Sequence, residues 1–297
     1  MTAETMVRVP ATPATPAKRR RSTTRWRSAL KHLLLIAVAV LMLYPLLWLV
    51  VSSVKPGELI FRQLGIIPSQ VTAHNYVSGW QALGRPFDRF LLNSLIICVG
   101  AIVGNLVSCS LAAYAFARMH FRGRRILFAA MLLTLMLPFQ VTVVPQYIFF
   151  SQLHWINTFL PLIVPKFLAT DAFFVFLMVQ FIRGLPRELD EAARMDGAGH
   201  GIIYLRIILP LMVPALATAT VFTFIWTWND FFSQLLYETR LQNYTAAVAL
   251  NSYLDQQGSS DFGGMFAMSV VCLAPLFFVF LFGQRYLVRG IATTGIR

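Results

Sequence analysis

"RELDEAARMDGAGH", residues 187–200, is charged, rich in small residues and broken by glycine, yet it separates two long apolar runs of a chain that is 57% hydrophobic. Charged groups are costly in hydrocarbon, so this stretch and the runs beside it belong to different solvents. Six apolar segments stand out, roughly residues 31–54, 91–117, 125–150, 158–182, 202–228 and 263–288. Each is long enough to cross about 30 Å of hydrocarbon as a helix. Short gaps such as "RMHFRGRR" at 118–125 force consecutive spans into antiparallel hairpins. The expected fold is an all-α integral membrane protein with six transmembrane helices.

The net charge of +13 suggests nucleic acid until its placement is considered. With the N-terminus inside, nineteen of the 25 Lys and Arg residues fall on one side: in the tail, the 118–125 loop, the 183–206 region and the C-terminal end. That bias is the positive-inside rule, and it predicts cytoplasmic N- and C-termini in a multi-pass membrane protein. The charge then serves topology and contact with anionic lipid headgroups, and no nucleic acid is expected as a partner. Residues 1–30, "MTAETMVRVPATPATPAKRRR…", read as a disordered cytoplasmic tail ending in a basic cluster, with 31–297 as the transmembrane domain. The first apolar run is too long for a signal peptide and no small-x-small site follows it. Cys98, Cys109 and Cys272 lie within spans, where small buried hydrophobes are expected rather than disulfides or metal ligands.

Enzymatic motifs are missing. No Gly-Lys dipeptide occurs, which excludes the phosphate-cradling GxxxxGK[ST] loop, and there is neither HExxH nor GxSxG. His32, His74, His120, His154 and His200 are scattered without ligand spacing. The chain reads as no enzyme, with no cofactor of its own, and any energy for uphill movement must come from another chain.

The polar stretch itself has helix punctuation. Pro186 suits a first helical turn, Glu188, Asp190 and Glu191 lie near the positive end of the dipole, and Arg194 lies in the last turn. Gly197 is placed to stop the helix. Residues 186–196 would extend about 16 Å, in a helix bounded at about 186–197. Leu189, Ala192, Ala193 and Asp196 share a face that is nearly flat and suits close docking against a partner. The bland alternative is an amphipathic loop helix lying on headgroups.

The run "EAARMDGAGHGIIYLRIILP" resembles the EAA loop of ABC-importer permeases, through Glu191, Ala192, Ala193, Gly197, Ile207, Leu209 and Pro210. "YPLLWLVVSSVKP", "HNY" at 74–76, "NS" at 93–94, "FLMVQFIRGLPRELDEAA" and "WNDFFSQL" at 228–235 are similar to the carbohydrate-uptake, maltose-type branch. The resemblance implies an ABC type I importer transmembrane fold. It also implies partners: a second permease subunit, two cytoplasmic ATPase subunits that bind ATP and Mg, and an extracytoplasmic solute-binding protein. The family favours a non-identical second permease. The EAA helix would be the coupling helix seated in a cleft of the ATPase, with Glu191, Ala192, Ala193, Asp196, Gly197, Leu209 and Pro210 as the coupling residues. Function is then translocation of a sugar or oligosaccharide. A glycerophosphodiester or other polar cargo remains open. So does an ion-coupled secondary transporter, which would need internal repeats and several membrane carboxylates.

Asp171 is expected roughly 18 Å above the boundary marked by Arg183, at mid-membrane depth. An intramembrane carboxylate is by default a functional candidate facing a cavity, and sugar hydroxyls donate well to it. The structural alternative pairs it with Lys166 or Thr170. Asn105 and Gln140 are weaker pathway candidates, and Asn93 weaker still, since span amides often join helices. Trp226 and Trp228 suit an interfacial aromatic belt. Residues 229–262 are too long for a minimal connection and too apolar for a solvated linker. Asn243, Tyr244, Gln256 and Ser260 are the candidates there for contact with the binding protein, on an ordered half and a flexible "QQGSSD" tip.

Overall fold

The computed structural model describes residues 22–254 and 261–292, and every regular element among the described residues is a helix. Helices are the expected answer to apolar sequence in lipid, because each backbone N–H then finds a carbonyl in its own segment. The chain divides into two compact units, Met1–Trp48 and Leu49–Arg297. The first contributes most of α1, Ser22–Ser53, a leucine-rich helix. α1 begins nine residues before the expected boundary at 31, so 22–30 continue the helix rather than a disordered tail. The rest of the expected tail, 1–21, lies outside the described residues.

In the second unit, the buried Lys55 ammonium donates to the carbonyls of Gln63 and Gly65, both at 2.7 Å, and closes the loop that follows α1. Asn75, on α2 (His74–Gln81), donates to the carbonyls of Ser53 and Lys55. α3 (Asp88–Arg118) is an unbroken 31-residue helix. It packs on a 3₁₀ turn (Val164–Leu168), on α7 (Ala172–Gly184) and on α11 (Val213–Asn229). Gly104 permits the closest of these approaches. A Cβ there would come within 2.8 Å of the Phe167 ring and 2.9 Å of the Lys166 side chain.

Two of the expected crossings are bent. α4 (Arg124–Thr134) and α5 (Phe139–Gln152) meet at 99°. Pro138 has no N–H to continue α4 and restrains Leu137 from helical geometry, so the chain restarts at Phe139. The segment His200–Leu211 meets α11 at 72°. It comprises α9 (His200–Ile203), a π turn (Tyr204–Ile208) and α10 (Leu209–Leu211). The π turn widens the helix so that Leu209 N–H reaches the Tyr204 carbonyl, and Pro210 and Pro214 each delete a donor nearby. Four segments are thus candidate spans by length and apolarity, and six crossings result if each bent pair makes one.

Between α5 and α7 lies the single turn α6 (Leu160–Ile163), and α8 (Glu188–Met195) follows α7. Beyond α11 come α12 (Phe232–Tyr237), α13 (Ala246–Ser252) and α14 (Phe262–Ala292). The main core joins α3, α7, α8, α9, the π turn and α11. A second core, around Phe87, Phe90, Tyr253 and Met268, joins α2, the start of α3, α13 and α14 at the opposite end.

Candidate functional site

α8 holds the EAA residues, and its C-terminus shows why Gly197 is needed. Gly197 N–H donates to the Arg194 carbonyl and Ala198 N–H to the Ala193 carbonyl, both at 2.9 Å. This is a Schellman stop, and it places Gly197 at φ +80°, a conformation that L side chains resist. Glu188, Asp190 and Glu191 occupy the first turn and Arg194 the last, as the dipole favours.

The faces of α8 differ from the expectation in one respect. Glu191, Ala192 and Asp196 are exposed, with Met195 at 89% of full exposure. Ala193 is instead buried in the main core, and Asp190 is buried beside it, one turn earlier. The open face of α8 is therefore Glu188, Leu189, Glu191, Ala192, Arg194, Met195 and Asp196, while Ala193 seats the helix on its own bundle. Leu209 and Pro210 lie on α10 within the bent span, not on α8.

Sequence reading missed what holds α8 in place. Arg118, the last residue of α3, brings Nε within 3.0 Å of Asp190 Oδ2, and both side chains are buried. Its Nη2 also donates to the Leu185 carbonyl at 2.9 Å. Tyr114 meets His200 Nδ1 at 3.2 Å, and Ser110 hydrogen-bonds with the Tyr204 hydroxyl at 2.7 Å. The available signal was a set of polar residues spaced by four, at 110, 114 and 118, within an otherwise apolar span.

Deeper in the bundle, Asp171 caps α7 at the break after the 3₁₀ turn, next to Ala169 at φ +54°. Lys166 Nζ lies 2.9 Å from Asp171 Oδ2 and 3.2 Å from Oδ1, so Lys166 is the partner. Thr170 instead donates to the Pro165 carbonyl. Asn105 is fully buried and donates to Asp171 Oδ2 at 2.6 Å and to Thr223 Oγ1 at 3.3 Å. It joins helices around the carboxylate and has no open surface for cargo. Ser108 donates to the Lys166 carbonyl. The ion pair stays partly exposed, as do Phe173 and Trp226, whose rings are 5.3 Å apart. Gln140 is exposed in the first turn of α5, and no hydrogen bond described here joins it to the Asp171 group. Trp228 is no belt residue: it is buried, stacked on Phe224, and its indole N–H donates to the Cys272 carbonyl.

Residues 104–293 match the family described as binding-protein-dependent transport system inner membrane component. The chain belongs to that family. This permease is 32% identical to the arabinooligosaccharides transport system permease protein AraQ of Halalkalibacterium halodurans, over 88% of this chain and 93% of that protein. It is 32% identical to the trehalose/maltose transport system permease protein MalG of Thermococcus litoralis, over 90% of this chain and 98% of that protein. The crystal structure of a bacterial ABC transporter involved in the import of the acidic polysaccharide alginate contains a chain of the same fold, with TM-score 0.75. At 22% identity, that match covers 92% of the permease and 99% of that chain. The permease is thus a multi-pass inner membrane transport subunit of a binding-protein-dependent importer, which works with ATPase and solute-binding protein partners.

The segment 229–254 of the permease is ordered and tied down. The Asn157 side-chain carbonyl accepts from Thr239 N–H, Thr239 Oγ1 and Arg240 N–H, and Asn157 itself takes φ +64°. Asn243 donates to the Asn157 carbonyl, and Asn93 donates to the carbonyls of Gln242 and Tyr244. Asn243 and Tyr244 are therefore half-buried parts of the platform, whereas Thr239, Arg240, Leu241 and Gln242 form its open surface. Gln256 and Ser260 lie outside the described residues. Within the platform, Glu238 is 0% exposed and burial pushes its carboxyl up to about 7, the Asn243 amide opposing this only in part.

Proposed function

We propose that this permease is one of two non-identical membrane subunits of an ABC importer for a sugar or oligosaccharide, with six crossings and both termini in the cytoplasm. α8 is then the coupling helix. Its exposed face seats in an ATPase subunit, two of which bind ATP and Mg and supply the energy. The observation that carries this reading is α8 itself: a capped, charged helix anchored by buried contacts on one face and open on the other. Carbohydrate cargo rests on what the similar proteins are named for, and on a partly exposed Asp171–Lys166 pair flanked by Phe173 and Trp226. A carboxylate accepts sugar hydroxyls, and an aromatic face covers the apolar side of a pyranose. Asn105 and Thr223 position Asp171 there rather than touch cargo. The exposed rim of 239–242 faces the solute-binding protein.

The test is uptake by the complete complex in proteoliposomes, using radiolabelled arabino- and malto-oligosaccharides with and without internal ATP. ATP-dependent accumulation of one of them is expected. Uptake that follows an ion gradient without ATP would overturn the coupling, and ATP-driven transport that rejects every carbohydrate would overturn the cargo.

A further inference from the structure

Three polar side chains of α3 point to one another's neighbourhood in a regular way. Ser110, Tyr114 and Arg118 are four residues apart, so each is turned only about 40° from the last and all three share a face. Their partners run in the opposite order along the following segment: Tyr204, His200, then Asp190. The contacts thus form a ladder between antiparallel stretches, with three separate rungs over about 12 Å of α3. The last rung is an ion pair by proximity, with no hydrogen bond between Arg118 Nε and the Asp190 carboxylate. The Arg118 guanidinium reaches both the end of α7, through the Leu185 carbonyl, and α8, through Asp190. Both charges are buried, so loss of either partner strands the other in a low-dielectric place.

The same helix continues to the mid-membrane ion pair. Asn105 holds the Asp171 carboxylate, and Ser108 holds the Lys166 carbonyl. Thirteen residues separate Asn105 from Arg118, about 20 Å of continuous helix without a proline. By contrast, the covalent route from α8 through α9 to α11 crosses a π turn and a 72° bend. α3 is thus a rigid element that touches both sites, running beside the shorter chain route from α8 back through residues 185–187 and α7 to Asp171.

We propose that α3 is the rod that carries displacement of α8 to the Lys166–Asp171 pair, with the Ser110, Tyr114 and Arg118 ladder as its grip and Arg118 as the decisive positioning residue. The proposal rests on α8 being the ATPase-docking helix. Energetic coupling needs an element that both sites bias; α3 contacts both through side chains, whereas α7 joins them through the chain itself, from Asp171 to residues 185–187. A ladder that merely stapled the fold would affect insertion and assembly, but would leave the nucleotide response of an assembled complex unchanged.

The experiment uses the complete complex with Thr170→Cys, an exposed position beside Asp171, against native cysteines that are all buried. The probe is a small methanethiosulfonate reagent, and its labelling rate is compared without nucleotide and after trapping with Mg-ATP and orthovanadate. In the parent, trapping is expected to change the rate at least about fivefold, the lower range of allosteric coupling. Arg118→Gln should bring that ratio close to one while the ATPase remains bound and still traps vanadate. If Arg118→Gln does not assemble, Tyr114→Phe combined with Tyr204→Phe removes two rungs without charge and should reduce the ratio by at least half. A full nucleotide response in either assembled variant overturns the ladder and leaves the docking role of α8 intact. No nucleotide response in the parent overturns that role and the ladder with it.

Discussion

Gly197→Asn, Gly197→Ala and Gly197→Pro form a graded test of the helix stop that ends α8. At φ +80° the backbone is left-handed, and the space beside a new Cβ is empty within 4 Å, so a substitution meets conformational strain and no clash. Alanine in that region costs about 1–2 kcal/mol, and asparagine less because its side chain tolerates the αL conformation. Proline cannot adopt a positive φ, and it also deletes the N–H that bonds the Arg194 carbonyl, raising the loss to about 3 kcal/mol. α8 has only eight residues, too short to persist on propensity alone. A loss of about 1–2 kcal/mol changes the ratio of ordered to frayed ends by about 5- to 30-fold. Hydrogen exchange of the amides of residues 194–198 in detergent-solubilised permease measures this ratio directly. Retention of the ATPase subunits on affinity purification reports its consequence. Protection should fall in the order Gly, Asn, Ala, Pro, and ATPase retention should follow the same order. Equal protection across the series would refute the Schellman argument, and intact ATPase retention with Gly197→Pro would refute α8 as the docking element.

Ala193→Trp should prevent stable insertion rather than only weaken ATPase docking, since Ala193 is buried in the main core and overpacking costs about 1–3 kcal/mol or more; normal melting of the purified variant would count against that placement. Glu238→Gln should flatten the pH dependence of thermal stability. Burial pushes the folded carboxyl to about 7 against an ordinary 4.5, so Glu238's contribution to stability is full below pH 4.5 and is lost as pH rises through 7, by at most about 1.4 kcal/mol per pH unit. A parent protein that gains stability across that window would exclude a buried, protonated Glu238. Asp171→Asn should lower ATP-driven uptake through loss of the Lys166 partner while leaving the ATPase bound, and unchanged uptake kinetics would make the ion pair purely structural. Single cysteines at Gly123 and Gly199 should be shielded from an impermeant thiol reagent in intact cells, whereas one at Gln242 should react. Labelling at Gly199 from outside would invert the topology.

The helical class, the membrane and the place of α8 were legible because they rest on local pattern. Runs of apolar residues set the spans, and lysine and arginine placement suggested the orientation. The glycine after a charged, alanine-rich turn ended a helix where a left-handed residue was needed. Tertiary structure decided what periodicity leaves open. Leu189, Ala192, Ala193 and Asp196 do share a helical face, but alanine has too little bulk to show whether it looks to the core or to a partner. The choice was made by Arg118, 72 residues away from Asp190, whose guanidinium turns Asp190 inward and takes Ala193 with it. A lone carboxylate in the sequence reads as solvated, and only a paired one can be buried. The same distinction separates Trp226 from Trp228, two residues apart yet facing an open aromatic cluster and a closed one. Prolines at 138, 210 and 214 mark where a helix loses a bond but not the angle of the bend, because a missing N–H removes a restraint and the packing around it supplies the direction. Local sequence thus determined which stretches are helical and where α8 stops, while long-range contacts determined where the longer runs break and which way each helix faces.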